Sequence, residues 1–199
     1  MSKTVLSTLI IFTSVFLFSS CTKSPEASKL TPSPSSNVNL VVSQAMTSSI
    51  SPTKSEKIIG LNTQNGQIVI RLNDKQAPNT VNNFLDKVNS GFYDGLTFHR
   101  VIQGFMAQGG DPKGDGTGGG RQVSEINQTP FVRGSLGLAR TADTKEYSND
   151  SQFFICFSDT GCQHLTGEYV NFGQVISGFE FLDQIKQGDK ILSIITTTK

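Results

Sequence analysis

The stretch that decides the fold is FHRVIQGFMAQGGDPKGDGTGGG, residues 98–120. It places aromatic, basic and amide side chains on two short β-like runs, directly before a loop rich in glycine. The glycines admit three interpretations: a cradle for phosphate, a loop that holds a metal, or tightly packed backbone beside a pocket. The residues around the stretch decide among them.

The glycine loop does not have the surroundings of a nucleotide site. The letters GDGTGG, residues 114–119, match a dinucleotide-binding pattern, but that pattern needs a strand before it and a helix after it. The following residues, GRQVSEI, have no helical period, and no GK[ST] occurs. Asp111 and Asp115 suggest calcium, although a loop of Gly and Asp is far more often a turn. We therefore expect no cofactor and no metal.

Two cysteines in the second half admit several interpretations. Cys156, Cys162 and His164 are spaced C-x5-C-x-H, and the only other histidine is His99, so zinc is disfavoured without a paired CxxC. An oxidising compartment would favour a disulfide between the two cysteines. The alternative is one buried thiol and one loop thiol, and the sequence leaves both open. Serine hydrolase chemistry is disfavoured because no G-x-S-x-G occurs.

The N-terminus resembles a secretory leader. After Lys3 comes the apolar run VLSTLIIFTSVFLF, which is too short for a comfortable transmembrane helix, and then LFSSC. The small residue before Cys21 resembles the lipobox of bacterial lipoproteins, which implies cleavage after Ser20 and lipidation of Cys21. Phe18 departs from that pattern, and an ordinary cleaved signal is the alternative. Thr22 favours an outer-membrane anchor where an outer membrane exists.

The next segment predicts a tether ahead of one globular domain. Residues 21–56 are rich in Ser, Thr, Pro and Lys, so we expect a lipid-anchored cysteine followed by a disordered linker. The domain should then cover residues 57–199. Without residues 1–20 the chain has 16 basic and 16 acidic side chains, which gives no electrostatic reason to expect nucleic acid as a partner. No signal for an oligomer is visible, so a monomer is expected.

The periodicity of the domain predicts many strands and two helices. GQIVIRL alternates as a strand does, and APNTVNNFLDKVNSG places Val81, Phe84, Leu85 and Val88 on one face of a helix. Further β-like runs are LTFHRVI, FMAQGG, GSLGLAR, SQFFICF, VNFGQVI and KILSIITT, and FEFLDQIKQGD predicts a second helix. Short strands without βα alternation indicate a mainly β fold, an antiparallel barrel capped by helices.

Taken together, FHRVIQGFMAQGGD, GSLGLAR, SQFFICF and LTGEYVNFGQVISG resemble the cyclophilin family of peptidyl-prolyl cis-trans isomerases. The resemblance covers about residues 57–199. It implies a closed eight-stranded antiparallel β-barrel with two α-helices, rotation of X–Pro bonds without a cofactor, and proline-containing unfolded or flexible chains as partners. A binding module or chaperone on the same fold is the alternative. With the leader, the resemblance predicts an extracytoplasmic, lipid-anchored isomerase.

The resemblance also assigns roles to individual residues. Arg100 matches the family's catalytic arginine, and Gln108 matches a glutamine that orients it. The residues that match the substrate-binding positions are Phe105, Met106, Ala139, Arg140, Gln152, Phe154, Leu165 and Tyr169. Phe153 is expected in the barrel core, and His99 on the opposite side of its strand from Arg100.

Three of the matching positions depart from the better-known eukaryotic pattern. Arg140 replaces a frequent asparagine, Tyr169 a frequent histidine, and His164 a tryptophan that helps to bind cyclosporin. The role at position 140 is expected to run mainly through backbone groups. His164 implies weak binding of the drug with catalysis intact.

Overall fold

The computed structural model describes residues 56–197. Its ten strands are β1 (Ile58–Thr63), β2 (Gly66–Leu72), β3 (Arg100–Ile102), β4 (Met106–Gly109), β5 (Arg121–Val123), β6 (Ser135–Leu138), β7 (Tyr147–Asn149), β8 (Phe153–Cys156), β9 (Val170–Ser177) and β10 (Ile191–Thr197). The helices are α1 (Pro78–Asn89), α2 (Asp159–Cys162), which is followed by a 3-10 turn at Gln163–Leu165, and α3 (Phe179–Leu182). None of these described helices is long and apolar enough to cross a bilayer.

Eight of the strands form one antiparallel sheet that curls back on itself. Their order is β10-β1-β2-β9-β6-β8-β4-β3, and β5 pairs with β7 in a separate two-stranded sheet. The ends of the large sheet meet just before β3 and β10, where the Phe98 N–H donates to Asp189 O at 2.9 Å and the Ile191 N–H donates to Leu96 O at 2.8 Å. The predicted eight-stranded antiparallel fold is therefore confirmed.

Helix α1 forms where the apolar period predicted it. Pro78 occupies its first turn, where the missing N–H costs nothing, and Gly91 follows its end with φ +70°. The free N–H groups at its start are bound from a distant loop, since the Glu125 carboxylate accepts from the Asn79 and Thr80 N–H groups at 3.1 and 2.7 Å. A negative side chain at this end of a helix is stabilising.

The second predicted helix is much shorter than its sequence period suggested. Helix α3 ends after one turn at Leu182. The Gln184 and Ile185 N–H groups then donate to the carbonyls three positions earlier, as in a 3-10 turn, at 3.2 Å each. The Gly188 N–H donates to Phe98 O at 3.0 Å, which draws this segment into the closure of the barrel. Local turns therefore replace the further α-helical turns, and Gly188 ties the end of the segment to the barrel.

The apolar side chains fall into two separate clusters. The larger cluster fills the barrel and includes Phe84, Phe98, Phe153 and Phe172, so the prediction that Phe153 is a core residue is confirmed. The smaller cluster lies on the outer face of the sheet. Its buried members are Met106, Phe131, Phe154, Cys156, Cys162 and Leu165, and Phe105 and Tyr169 pack against them. This outer cluster supports the site described next.

Candidate active site

The strand register places the predicted site on the outer face of the sheet. Arg100 pairs with Gln108, Gln108 with Phe154, and Phe154 with Gly137, across β3, β4, β8 and β6. Residues that pair directly across neighbouring strands project to the same face of a sheet. Because side chains alternate along a strand, Ala107 and Ile155 face the core from the same strands. The register therefore brings distant segments of the sequence into one row.

Nine of the ten residues predicted from the resemblance surround one cavity of about 100 Å³, which we call the main cavity. They are Arg100, Phe105, Met106, Gln108, Ala139, Arg140, Phe154, Leu165 and Tyr169. The tenth, Gln152, is buried beside it and lines a second cavity of about 300 Å³, which shares Gln108, Ala139 and Arg140 with the first. The position predicted for lipidation, Cys21, lies outside the described residues.

Arg100 presents its guanidinium at the edge of the main cavity. Its side chain is exposed, and Nη1 donates to Gln108 Oε1 at 3.3 Å and lies 3.9 Å from Met106 Sδ. Neither neighbour is a carboxylate, so these contacts orient the guanidinium without neutralising its positive charge. The arrangement can offer a charged hydrogen-bond donor to a group that is held against the apolar wall.

A chain of amides fixes which atom faces the arginine. Gln152 Nε2 donates to Gly116 O at 3.1 Å and to Gly118 O at 2.8 Å, which leaves its Oε1 to accept from Gln108 Nε2 at 2.9 Å. Gln108 must then direct its own Oε1 toward Arg100. If the Gln108 amide were turned the other way, its NH2 group would face the Arg100 N–H groups and its oxygen would face Gln152 Oε1, so both hydrogen bonds would be lost.

The glycine loop supplies the carbonyls at the start of that chain. Asp111 is 1% exposed and accepts from the Lys113, Asp115 and Gly116 N–H groups at 2.9, 3.0 and 2.5 Å. A side chain on Gly118 would overlap this carboxylate. The loop is thus closely packed backbone, as the sequence indicated. Among residues 56–197 no group of three or more His, Cys, Asp or Glu is placed to hold a metal ion.

Two residues of the site were not found from the sequence. Phe131 is 1% exposed and stacks on Phe154, with ring centroids 5.7 Å apart. Gly137 lies beneath the same ring, and any Cβ there would overlap it. Phe131 comes from a loop without periodicity, and Gly137 reads as one more strand glycine. The register of β6 against β8 reveals the contact between Gly137 and Phe154, and only the tertiary structure reveals the stacking of Phe131 on Phe154.

A disulfide joins Cys156 and Cys162 behind the main cavity. This settles the two alternatives that the sequence left open and removes the zinc interpretation. Cys156 ends β8 opposite Met106, and Cys162 ends α2, three residues before Leu165. The bond therefore ties the segment that carries the Leu165 wall to the sheet that carries the Phe154 wall.

The two histidines of the domain have different surroundings. Both imidazole nitrogens of His99 are buried and have no hydrogen-bond partner among the described residues, and the ring lies beside Gly116. Burial lowers the pKa of His99, as does the Arg100 charge, against the opposing effect of Asp111. His164 is exposed, and its ring centroid is 5.7 Å from that of Phe105.

Comparison with known families identifies the chain. The family model described as cyclophilin type peptidyl-prolyl cis-trans isomerase/CLD matches residues 58–197. The chain belongs to this family, and its activity is peptidyl-prolyl cis-trans isomerisation. A peptidyl-prolyl cis-trans isomerase of Synechococcus elongatus is 44% identical over 142 residues, which span 69% of this chain and 94% of that protein. One from Helicobacter pylori is 46% identical over 142 residues, 68% of this chain and 83% of that protein.

Solved structures agree with the family assignment. The crystal structure of a cyclophilin type peptidyl-prolyl cis-trans isomerase from Cryptosporidium parvum has a TM-score of 0.67 and 33% identity. The alignment with it covers 72% of the present chain and 99% of the Cryptosporidium chain. The structure of the same protein in the presence of the dipeptide Ala-Pro has a TM-score of 0.66 and 32% identity. That alignment covers 71% of the present chain and 99% of the Cryptosporidium chain. The fold predicted from the resemblance is thus confirmed.

Proposed function

We propose that this protein is a lipid-anchored isomerase that accelerates X–Pro rotation in unfolded or flexible chains outside the cytoplasm. The observation that carries the catalytic part is the guanidinium of Arg100, which lies at the edge of a cavity with apolar walls and has no carboxylate partner among residues 56–197. The leader-like residues 1–20 and Cys21 carry the part about location.

The chemistry requires the enzyme to favour a twisted amide over both planar forms. Resonance makes the barrier to rotation about 18–20 kcal/mol, and no covalent bond has to break. In the twisted state the prolyl nitrogen becomes pyramidal and gains a lone pair, which a guanidinium N–H can bind. Arg100 has this role in the proposal, because it is a positive donor already oriented before substrate arrives.

The apolar walls hold the proline ring while the preceding carbonyl turns. The apolar side chains that line the main cavity include Phe105, Met106, Phe154 and Leu165. The Phe131 ring and the disulfide belong to the same apolar cluster and support them. The backbone around Ala139 is itself fixed, since its N–H donates to Gln152 O at 2.9 Å and its carbonyl accepts from the Asn149 N–H at 2.8 Å. A rigid wall keeps the ring still, so that rotation is confined to the other side of the bond.

The proposed compartment has independent chemical support. Disulfides persist in oxidising compartments and are rare in the cytosol. The Cys156–Cys162 bond therefore favours an extracytoplasmic position, in agreement with the leader. As the target position for lipid, Cys21 would hold the domain at the membrane through the 36-residue segment 21–56.

The catalytic part is tested with the purified full chain in an NMR exchange assay on a short X–Pro peptide. Arg100→Ala should lower the catalysed rate by about 10²–10³-fold, the typical cost of one lost preorganised donor. Peptide binding should persist, because the apolar walls are unchanged. A folded Arg100→Ala variant with the wild-type rate would contradict the proposed mechanism.

The location is tested by expression in a bacterial host with a radiolabelled fatty acid. The wild-type chain should incorporate label and sediment with membranes, whereas Cys21→Ser should do neither. Cys162→Ser is the matched control, because it removes another cysteine and should leave the labelling intact. A wild-type chain that stays unlabelled in the cytosol would refute the anchored, extracytoplasmic proposal while leaving isomerase activity untouched.

A further inference from the structure

Arg140 lines both the main cavity and the second cavity. Its side chain is only 8% exposed, which is unusual for a charged group at the mouth of a binding site. A buried guanidinium has to be compensated by hydrogen bonds and opposite charge. The compensating partners show what the side chain does.

The nitrogens of Arg140 are bonded to two different loops. Nε donates to Glu168 O at 3.1 Å, in the loop between α2 and β9. Nη1 donates to Thr141 O at 2.9 Å and to Thr144 O at 3.1 Å, in the loop between β6 and β7. These bonds turn the guanidinium toward protein carbonyls and away from a substrate, so that it joins the two loops on either side of the cavities.

Charge strengthens the same connection. Nη2 of Arg140 lies 3.7 Å from Glu168 Oε2, and that oxygen is 2.5 Å from Lys145 Nζ. The hydrogen bond from Lys145, followed by the charges of Lys145 and Arg140, lowers the pKa of the Glu168 carboxyl. The Glu168 carboxylate thus stays ionised near neutral pH. It binds both Arg140 and Lys145, so it joins its own loop to the loop between β6 and β7.

The flat face of the guanidinium contacts the wall of the main cavity. Its Cζ lies 4.5 Å from the centroid of the Tyr169 ring, within the range of a cation–π contact. The Tyr169 ring in turn meets Phe154 edge-on, with centroids 5.8 Å apart and planes at 86°. Arg140 therefore reaches the pocket through Tyr169 and has few free donors of its own.

We infer that the Arg140 side chain is a positioning residue, which sets the affinity for proline-containing chains by fixing the Tyr169 wall. The inference rests on the active site proposed above. A wall that contacts the proline ring does so in the planar and twisted states alike, and such uniform binding affects KM without changing kcat. Arg140 and Arg100 therefore divide the work: the first acts on affinity and the second on the rate of rotation.

Two substitutions of Arg140 in the full chain test the inference. Arg140→Lys keeps the charge but loses the planar fork that reaches three carbonyls, and Arg140→Gln loses the charge as well. NMR titration and exchange with a short X–Pro peptide should show peptide binding weakened by about threefold to thirtyfold, the range for one partly shielded cation–ring contact. The rate at saturation should stay within about twofold.

A double-mutant cycle shows whether the effect passes through the tyrosine. Tyr169→Leu removes the ring, so adding Arg140→Lys to it should weaken binding little further. With 3-fluorotyrosine the chain gives three ¹⁹F signals, one for each tyrosine. The signal that is lost in Tyr169→Leu should move in Arg140→Lys, which shows the change in the environment of the ring directly.

Arg133→Lys is the matched control. Arg133 also stacks on an aromatic ring, at 4.7 Å from the Phe179 centroid, and pairs with Asp183, but it lines neither cavity. Its substitution should leave peptide binding unchanged. The inference is overturned if folded Arg140→Lys and Arg140→Gln bind like wild type, if they lose rate at unchanged affinity, or if the effects of Arg140 and Tyr169 are simply additive. An Arg100→Ala variant with full activity would instead refute the proposed active site.

Discussion

Reduction of the Cys156–Cys162 disulfide should destabilise the domain by a calculable amount. The bond closes a short loop, with a sequence separation of 6. The chain-entropy model with about seven residues in the loop gives roughly 8 cal/mol/K, or about 2.4 kcal/mol at 25 °C. A domain of about 140 residues unfolds with an entropy of roughly 0.3 kcal/mol/K. The expected fall in Tm is therefore about 8 °C.

The same bond should affect peptide binding as well as stability. Cys162 ends α2 three residues before Leu165, so a reduced chain can move that wall away from Phe154. The reduced protein should bind an X–Pro peptide more weakly, while the Arg100–Gln108 contact on the neighbouring strands is preserved. The decrease in affinity should appear below the Tm, where the barrel remains folded.

The assay is thermal unfolding followed by circular dichroism, with and without a phosphine reductant, in a Cys21→Ser background that leaves one cysteine pair. Thiol labelling before each scan reports whether the bond is open. The double variant Cys156→Ala/Cys162→Ala is the control, because its Tm should not respond to reductant. A fully reduced chain whose Tm and peptide affinity equal those of the oxidised chain would refute the reasoning.

Three further outcomes are expected. Gly137→Ala should push the Phe154 ring out of place, at a cost of about 1–3 kcal/mol, and weaken peptide binding in the NMR titration; a wild-type affinity would show that the ring can move freely. Burial lowers the pKa of His99 in the folded state, so as the pH falls below 6.5 this side chain is protonated in the unfolded state first. The free energy of unfolding should therefore be at its full value above pH 6.5 and decrease below it. Urea titrations across this range should show the slope lost in His99→Phe and kept when exposed His164 is changed to Asn. Glu125→Ala should lower the free energy of unfolding by about 1 kcal/mol, because two N–H groups at the start of α1 lose their acceptor; an unchanged urea midpoint would contradict this.

The extent of sequence prediction differs between the helices. Helix α1 was predicted because its apolar period, its initial proline and its final glycine all agree locally. The segment of α3 has a similar apolar period, yet the α-helix ends after one turn, local turns follow, and Gly188 bonds to Phe98 in the barrel closure. The apolar period therefore predicts which side chains are buried, but it does not fix how many helical turns the backbone makes.

The residues of the site also differ in whether a local pattern predicts them. Side chains on strands with a recognisable motif, such as Arg100, Gln108 and Phe154, were predicted individually. Their partners were not predicted: Phe131 behind the pocket, the carbonyls of Gly116 and Gly118, and the loops joined by Arg140. These contacts connect residues far apart in the chain, and no local pattern encodes them.

The sequence by itself determined the mainly β class and the position of α1, because both depend on local period. Its resemblance to a known family predicted the residues that surround the main cavity, because they lie in recognisable motifs. Only the tertiary structure decided that Cys156 and Cys162 are bonded, that Gln152 orients Gln108 and that Arg140 holds Tyr169. The physical reason is register: which side chains meet across a curled sheet depends on how its strands align, and that alignment is a property of the whole barrel.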